Sequence, residues 1–536
     1  MLRNVIILQF TLRYIITLIK KLFQTTSLKA NITANFLGNG WSALIGLIFV
    51  PIYLKYIGAE GYGLIGIFAS LQVVLSLLDS GLSTTLNKEI ARLSVLHGKA
   101  QQMRNLVKTL GSVYWVVSLV AGLIALCLSP LIARYWVHPK DLSVQIITYS
   151  FILLSISLVF QFPSGFYSGG LMGLQRQVIL NLVRIVFATL KSVGALLVLV
   201  FISKSVLAFF EWTLFVAILQ AFTLKFILWY YLPRTKSKSI FDTQELKNIW
   251  RFAAGMVGIS LTAILLTQVD KIILSKFLSL EQFGYYTIAC TLGLLIYQIV
   301  SPLTQSYFPK FSSLISLNKI DELKDLYHQA CQMISLLVLP ATLILVFFSK
   351  ELIFIWTKNS ITTENTWMIT AIYAYGTGMN GLMNIPYILT LSYGWTKLGF
   401  YQNIFFLIIM IPLTIFLALK FGAIGGAISW ATINTLYFFI TPHLIHNKLL
   451  KGEVANWYWK DSVKPFLVGI SIIVAAKYFI FKTVYSNLTE LLLIILVGII
   501  SVIGIIPFAD KLKNNVSNIF KKWKSNDRQT FSKEIK

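Results

Sequence analysis

Residues 109–133 read TLGSVYWVVSLVAGLIALCLSPLIA, from Thr109 to Ala133, without one Asp, Glu, Lys or Arg. As an α-helix rising 1.5 Å per residue, the run covers roughly 37 Å, more than the ~30 Å of hydrocarbon in a bilayer. It shows no alternation of period two, which a strand of a membrane β-barrel requires. Stretches 30–54, 282–309, 365–396, 398–419 and 491–509 are equally free of charge. Charged residues make up 12% of the chain, about half the fraction usual in a soluble protein, and the mean hydropathy is +0.75. The composition therefore predicts an all-α integral membrane protein with about fourteen transmembrane helices. They are placed near 30–54, 61–86, 109–131, 143–170, 178–203, 206–232, 250–275, 282–309, 328–349, 366–392, 397–419, 422–445, 464–482 and 490–509.

The formal charge of +26 invites a nucleic-acid reading, which the distribution of the charge answers. Of the 46 Lys and Arg residues, 32 fall in the N-terminal tail, the even-numbered loops and the C-terminal tail, and 11 in the odd-numbered loops. That is the positive-inside pattern, so both termini are expected in the cytoplasm and the span count is even. The basic runs at 234–238 and 521–524 then read as topology signals and contacts to anionic lipid, and no nucleic-acid partner is expected. Cys127, Cys290 and Cys331 fall inside spans without ligand spacing, and the five histidines are scattered near span ends, so neither a disulfide framework nor a metal site is predicted. The stretch 5–23 is apolar but carries Arg13, Lys20 and Lys21, which predicts an amphipathic helix on the inner leaflet. No loop is long enough for a nucleotide-binding fold, no Walker-type GxxxxGK[ST] occurs, and HExxH and GxSxG are absent. The chain reads as a transporter rather than an enzyme, with no cofactor.

An internal repeat organises the spans. At an offset of 221, Glu60 meets Glu281, Gly63 meets Gly284, Ser80 meets Ser301, Leu82 meets Leu303, Leu93 meets Leu314 and Gly173 meets Gly394. A duplication of six spans keeps the orientation of both copies and relates them by an axis along the membrane normal. The expected organisation is an interfacial helix over 1–29, a six-helix bundle over 30–232 and a basic linker over 233–249. A second six-helix bundle over 250–446 follows, then a loop with helices thirteen and fourteen over 447–509 and a basic tail over 510–536. Two such bundles facing a polar cavity suit alternating access.

Several motifs carry a family resemblance. They are Pro51-Ile-Tyr-Leu-Lys-Tyr-Ile-Gly58, Gly61-Tyr-Gly63, Leu78-Asp79-Ser80-Gly81-Leu82 and Glu89-Ile-Ala-Arg92. With them go Gly170-Leu-Met-Gly-Leu-Gln-Arg176, Asn181, Asp270-Lys271 and Phe283-Gly-Tyr-Tyr286. Over about residues 30 to 509 the chain resembles the Wzx-type polysaccharide and O-antigen flippases of the multidrug/oligosaccharidyl-lipid/polysaccharide exporter superfamily, whose fold is MATE-like. The resemblance implies a bacterial inner-membrane protein that moves an oligosaccharide linked to undecaprenyl diphosphate from the cytoplasmic to the outer leaflet. It also implies a proton or sodium ion as a possible coupling ion, and a polysaccharide polymerase complex as a possible partner besides membrane lipids.

Residue chemistry supplies candidates. Arg184 and Lys191 lie seven apart in the fifth span, on one helical face, where a charge costs ~2.5–3.5 kcal/mol and therefore points to a cavity or a partner. They are candidates for binding the diphosphate or an acidic sugar; snorkelling is the plain alternative for Arg184. Arg251, Asn35 and Asn39 join them as substrate-binding candidates, although topology accounts for Arg251 and interhelical hydrogen bonds account for the asparagines equally well. Asp79 with Lys88 or Arg92 could form an inner-gate ion pair. Asp270 beside Lys271 could gate, end the span as a local ion pair, or carry a coupling proton. Competing functions are a peptidoglycan-precursor flippase, a cation-coupled drug exporter of the same superfamily, and, from another class, a membrane glycosyltransferase or polymerase. The basic excess within the spans disfavours a cationic cargo, and the short first outer loop disfavours the enzymes.

Overall fold

Each long apolar run is helical in the computed structural model, because without water every backbone N–H and C=O must be paired within its own segment. The structure describes residues 28–94, 96–481 and 486–511, with the side chains of 28–32, 36, 75–82, 245–260 and 263 excepted. The expected interfacial helix over 1–29 and the basic tail over 510–536 lie almost wholly outside the described residues. Among the described residues there is no β-strand. The helices are α1 (Leu28–Ser94), α2 (Ala100–Leu131), α3 (Val144–Gly173), α4 (Gln177–Phe201), α5 (Val206–Tyr231), α6 (Thr243–Phe277), α7 (Leu280–Gly293), α8 (Leu295–Ser316) and α9 (Ile320–Phe347). They continue with α10 (Ser349–Thr357), α11 (Ser360–Leu382), α12 (Asn384–Ser392), α13 (Thr396–Phe421), α14 (Ala423–Leu449), the single turn α15 (Val454–Asn456), α16 (Lys464–Phe479) and α17 (Asn487–Ile505). Stretches Ile132–Trp136 and Trp457–Val463 are π-helical.

Among the described residues, eleven helices are long and apolar enough to cross a membrane, against the fourteen expected. The difference lies in how spans join and break. Spans 30–54 and 61–86 are the two helical arms of α1, which passes through Pro51 and is kinked between them at Gly58 (φ 70, ψ 177), a left-handed backbone that a Cβ would strain. Span 366–392 is divided at Met383 into α11 and α12, whereas span 282–309, broken at Leu294 between α7 and α8, still counts as one crossing over Leu280–Ser316. The first turn of α9 carries Asp321 and Glu322, which suit the positive end of a helix dipole. Span 250–275 falls within α6, much of whose side-chain structure lies outside the described residues.

The outward faces show which solvent these helices meet. Val116, Leu119, Val120, Leu123 and Ile124 of α2 are all at least half exposed, and Phe201, Phe226, Leu419 and Phe479 are more than two-thirds exposed. Exposed apolar area on this scale is incompatible with water and suits lipid chains. The chain is a multi-pass membrane protein.

By its internal packing the chain forms two compact units, the first ending at Gly284 and the second beginning at Tyr285. In the first, α1 packs on α3, α4 and α6. Its core gathers Leu86, Leu106, Tyr114, Phe166, Leu180 and Leu228. In the second, α9 packs on α8, α11 and α16. Phe311, Tyr327, Ile334, Met383 and Trp457 lie in its largest core cluster, and Phe348 with Ile473 in a smaller one against α17.

Candidate functional site

The polar seam of the first unit runs between α1 and α4. Asn35 Nδ2 donates to Gln177 Oε1 at 2.7 Å, and Asn181 Nδ2 donates to Asn35 Oδ1 at 2.5 Å. One turn along α1, Gly38 lets the two helices close: a Cβ there would lie 2.4 Å from Asn181 Oδ1. Farther on, Trp41 Nε1 donates to Thr189 Oγ1 at 2.9 Å. Interhelical amides in lipid contribute about 0.6–2 kcal/mol each, so the seam fixes the register of α1 on α4.

At 100° per residue, Gln177, Asn181, Arg184 and Lys191 fall within about a quarter of the circumference of α4. Arg184 and Lys191 are both partly buried. No hydrogen bond, ion pair or ring contact among the described residues engages either cation. The two cations thus lie along one side of a membrane-length helix, without a partner among the described residues and next to the amide ladder, where a buried charge favours an anionic counterpart. Asn35 belongs to that ladder, and Asn39 is exposed one turn away. Lys225 of α5 instead has aromatic company: its Nζ lies 5.9 Å from the Trp115 ring centre and 6.0 Å from that of Phe222.

The gating candidates separate. Asp270 is fully buried with Lys271 Nζ at 3.2 Å, and Lys271 also donates to the Thr267 carbonyl. Arg92 pairs with Glu89 one turn away at 2.7 Å, on an exposed face. The side chains of Asp79 and Arg251 lie outside the described residues.

Repeat-related residues meet at the end of the first unit that the charge pattern assigns to the outer side. A Cβ on Gly63 would lie 2.3 Å from the Leu280 carbonyl oxygen, and one on Gly284 would lie 2.0 Å from that of Ala59. Positions 59 and 280 are themselves related by the 221-residue offset, so the two backbones cross symmetrically. Glu60 is buried beside the crossing and accepts the backbone N–H groups of Lys140 at 2.7 Å, Asp141 at 3.0 Å and Leu142 at 3.1 Å. Lys140 Nζ reaches Glu281 Oε2 at 2.7 Å, and this carboxylate raises the lysine's pKa. The 137–142 loop thus ties together the two repeat-equivalent glutamates. The repeat had marked Glu60, Glu281 and both glycines, but nothing in the sequence assigned the Lys140 loop as their common partner.

A second feature was not visible in the sequence. In the second unit His328, Glu453 and Asp461 converge on a cavity of about 290 Å³. Asp461 stands between Lys460 and Lys464 in a polar segment ahead of a span, so nothing local in the sequence singled it out.

These helices, broken spans and crossed repeats define a polytopic all-helical membrane fold. The fold is that of a solved lipid II flippase MurJ in an inward closed conformation (TM-score 0.71, 15% identity, covering 90% of this chain and 98% of that one). A multidrug resistance MATE family transporter of the MOP superfamily in an inward-facing conformation is also similar (TM-score 0.62, 13% identity, 82% and 96%). Residues 28–315 match the family model described as polysaccharide biosynthesis protein, and the chain belongs to that family. Two curated relatives are a protein of Shigella flexneri named as an O-antigen transporter (21% identity over 406 residues, 76% of this chain and 94% of the relative) and the teichuronic acid biosynthesis protein TuaB of Bacillus subtilis strain 168 (24% over 373 residues, 67% and 72%).

Proposed function

We propose that this chain is a flippase that carries an oligosaccharide on undecaprenyl diphosphate from the cytoplasmic to the outer leaflet of a bacterial plasma membrane, with both termini in the cytoplasm. The observation that carries this reading is the stripe of α4, where Arg184 and Lys191 stand partly buried and unpartnered beside the Asn35–Asn181 ladder. A diphosphate cannot cross hydrocarbon unaided. It needs cations that the protein has already desolvated and left without a counterion, and Arg offers a fork that fits phosphate oxygens. The exposed Asn39 amide and the second N–H of Asn35 on the adjoining helix supply donors for sugar hydroxyls. The relatives named for O-antigen and teichuronic acid support a glycan cargo, and the basic sign of the stripe opposes a cationic drug.

In the same proposal two six-helix bundles, 30–232 and 250–446, alternate access to the site. The Gly63–Gly284 crossing and the loop held by Glu60 form the closure on the outer side. The buried Asp270–Lys271 pair is the candidate for coupling to a proton or sodium gradient, Arg251 adds a cation at the inner entrance, and Asp79 with Arg92 contributes to inner-side closure. A polysaccharide polymerase complex would receive the flipped lipid.

Binding tests the reading directly. Purified protein is titrated with a short undecaprenyl-diphosphate oligosaccharide and with the matching undecaprenol-linked glycan that lacks the diphosphate. Arg184→Ala and Lys191→Ala should each weaken binding of the first about ten- to a hundred-fold, the equivalent of one charge-assisted contact, and leave the second unchanged. Equal binding of both lipids by the native protein would reject the proposal.

A further inference from the structure

His328 of α9 stands between two carboxylates. Its Nδ1 lies 2.5 Å from Asp461 Oδ2, and its Nε2 lies 3.3 Å from Glu453 Oε2. The Asp461 side chain is fully buried, whereas His328 and Glu453 retain 11% and 17% exposure toward the cavity. Gln332 Nε2 donates to Asp461 Oδ1 at 2.9 Å, and the Ser335 hydroxyl donates to the Asp461 carbonyl, so the aspartate's position is fixed from three directions.

A neutral imidazole carries one N–H and one lone pair. With the N–H given to Asp461, Nε2 would turn its lone pair toward a carboxylate oxygen, acceptor against acceptor. Nearby His446 shows the opposite arrangement: its Nδ1 faces the Pro442 carbonyl at 2.7 Å and its Nε2 faces the Tyr327 hydroxyl at 2.9 Å. One ring proton satisfies both of those contacts. The row Glu453–His328–Asp461 is satisfied only with one proton more than two carboxylates and a neutral ring possess.

We infer that His328, Glu453 and Asp461 form a proton-binding site on the cytoplasmic end of the second unit, with the additional proton held on Nε2 between the ring and Glu453, and that its occupancy latches the last two helices to α9.

The surrounding charges come from every element packed there. On α9 itself they are Asp321, Lys324 and Asp325; Lys324 Nζ is 3.7 Å from Glu453 Oε1. The segment leading into α16 adds Lys460, and α14 contributes His446. After α17 come Asp510 and Lys511. Lys511 closes the latch: its N–H donates to Gln332 Oε1 at 3.0 Å and its Nζ pairs with Asp325 at 2.5 Å. Gln332 thereby bonds the proton site's aspartate with one end of its amide and the end of the last helix with the other. The π-helical backbone of Trp457–Val463, which presents Asp461 inward, is a form of helix found often at functional positions. Water in the cavity supplies and accepts the proton. When it leaves, the Glu453 contact, already the longer of the two, is the one that becomes repulsive, while the buried Asp461 contact keeps its N–H. The inference stands independently of the transport reading.

The test is ¹⁵N NMR of histidine-labelled protein in nanodiscs at pH 7, with the His328 signal assigned by His328→Gln. If that variant does not fold, replacing the other four histidines leaves His328 as the single label. Native His328 should show both ring nitrogens protonated. In Glu453→Gln, whose amide can donate to Nε2, one nitrogen should become unprotonated. Hydrogen exchange at the Lys511 amide, followed in the same samples, should accelerate about tenfold in His328→Gln, the loss of roughly one hydrogen bond's worth of protection. A native ring with one bare nitrogen, or a ring indifferent to Glu453→Gln, would overturn the proton site. Unchanged exchange at Lys511 would overturn the latch.

Discussion

Arg184 and Lys191 differ from the paired basic residues in what they lack. Arg92 has Glu89, Lys140 has Glu281 and Lys271 has Asp270, whereas the α4 cations have no partner among the described residues. If the stripe binds phosphate as a charge, Lys191→Arg should keep transport within about threefold of native, and Lys191→Gln should lower it about tenfold or more. Initial rates of glycolipid translocation check this, and equal loss in both variants would assign Lys191 to packing. At Glu453, burial acts to raise the pKa, but the Asn456 amide, His328 and Lys324 more than offset it and hold the group below the usual glutamate range. A depressed carboxylate contributes stability above its unfolded pKa and loses it as the pH falls through the folded value. Acidification below the ordinary glutamate range should therefore destabilise the native protein more than Glu453→Gln, a difference that parallel thermal melts would reveal. The α4 cations were legible in the sequence because a charge inside an apolar run stands out locally. The Glu453–His328–Asp461 row was not, since His328 lies more than a hundred positions from both carboxylates and each member sits beside a span end, where a charged residue is unremarkable.

Among the elements, the α1–α7 crossing makes the sharpest demand on sequence. Gly63 and Gly284 each place a carbonyl oxygen where a Cβ would stand, at 2.3 and 2.0 Å, and the obstacle is backbone that cannot rotate away. Gly63→Val should force the helices apart and lower the yield of monodisperse protein severalfold in gel filtration, whereas the same change at Gly40, where no atom lies within 4 Å, should be tolerated. Glu60 →Ala leaves three backbone N–H groups of the 137–142 loop without their acceptor, at a cost of about 1–3 kcal/mol, and Glu60→Gln should recover part of it. Thermal unfolding in detergent measures both, and an unshifted midpoint for Glu60→Ala would show that the loop is held by other contacts. Sequence periodicity located the apolar runs well, because burial in lipid is a local property. It put the gap between the first two spans around Gly58, where the helix kinks, but could not tell that Met383 and Leu294 divide two others, since those breaks depend on backbone geometry and on neighbours distant in the chain.

For the molecule as a whole, the family match places the chain among polysaccharide biosynthesis proteins, and the 221-residue repeat and the basic bias of alternate loops suit the proposed carrier. The repeat was legible because residues at the symmetric crossing are restricted to glycine and glutamate in both copies. The proposed glycan cargo is less so, because sugars would be met by ordinary amide and aromatic groups that also serve helix packing. The most direct measurement is translocation of a fluorescent undecaprenyl-diphosphate oligosaccharide in proteoliposomes, with native protein, Arg184→Ala and Lys191→Ala, and with and without a proton or sodium gradient. Transport by the native protein that falls at least tenfold in either variant is the predicted result. Native protein that moves small organic cations but no diphosphate-linked glycan would contradict it.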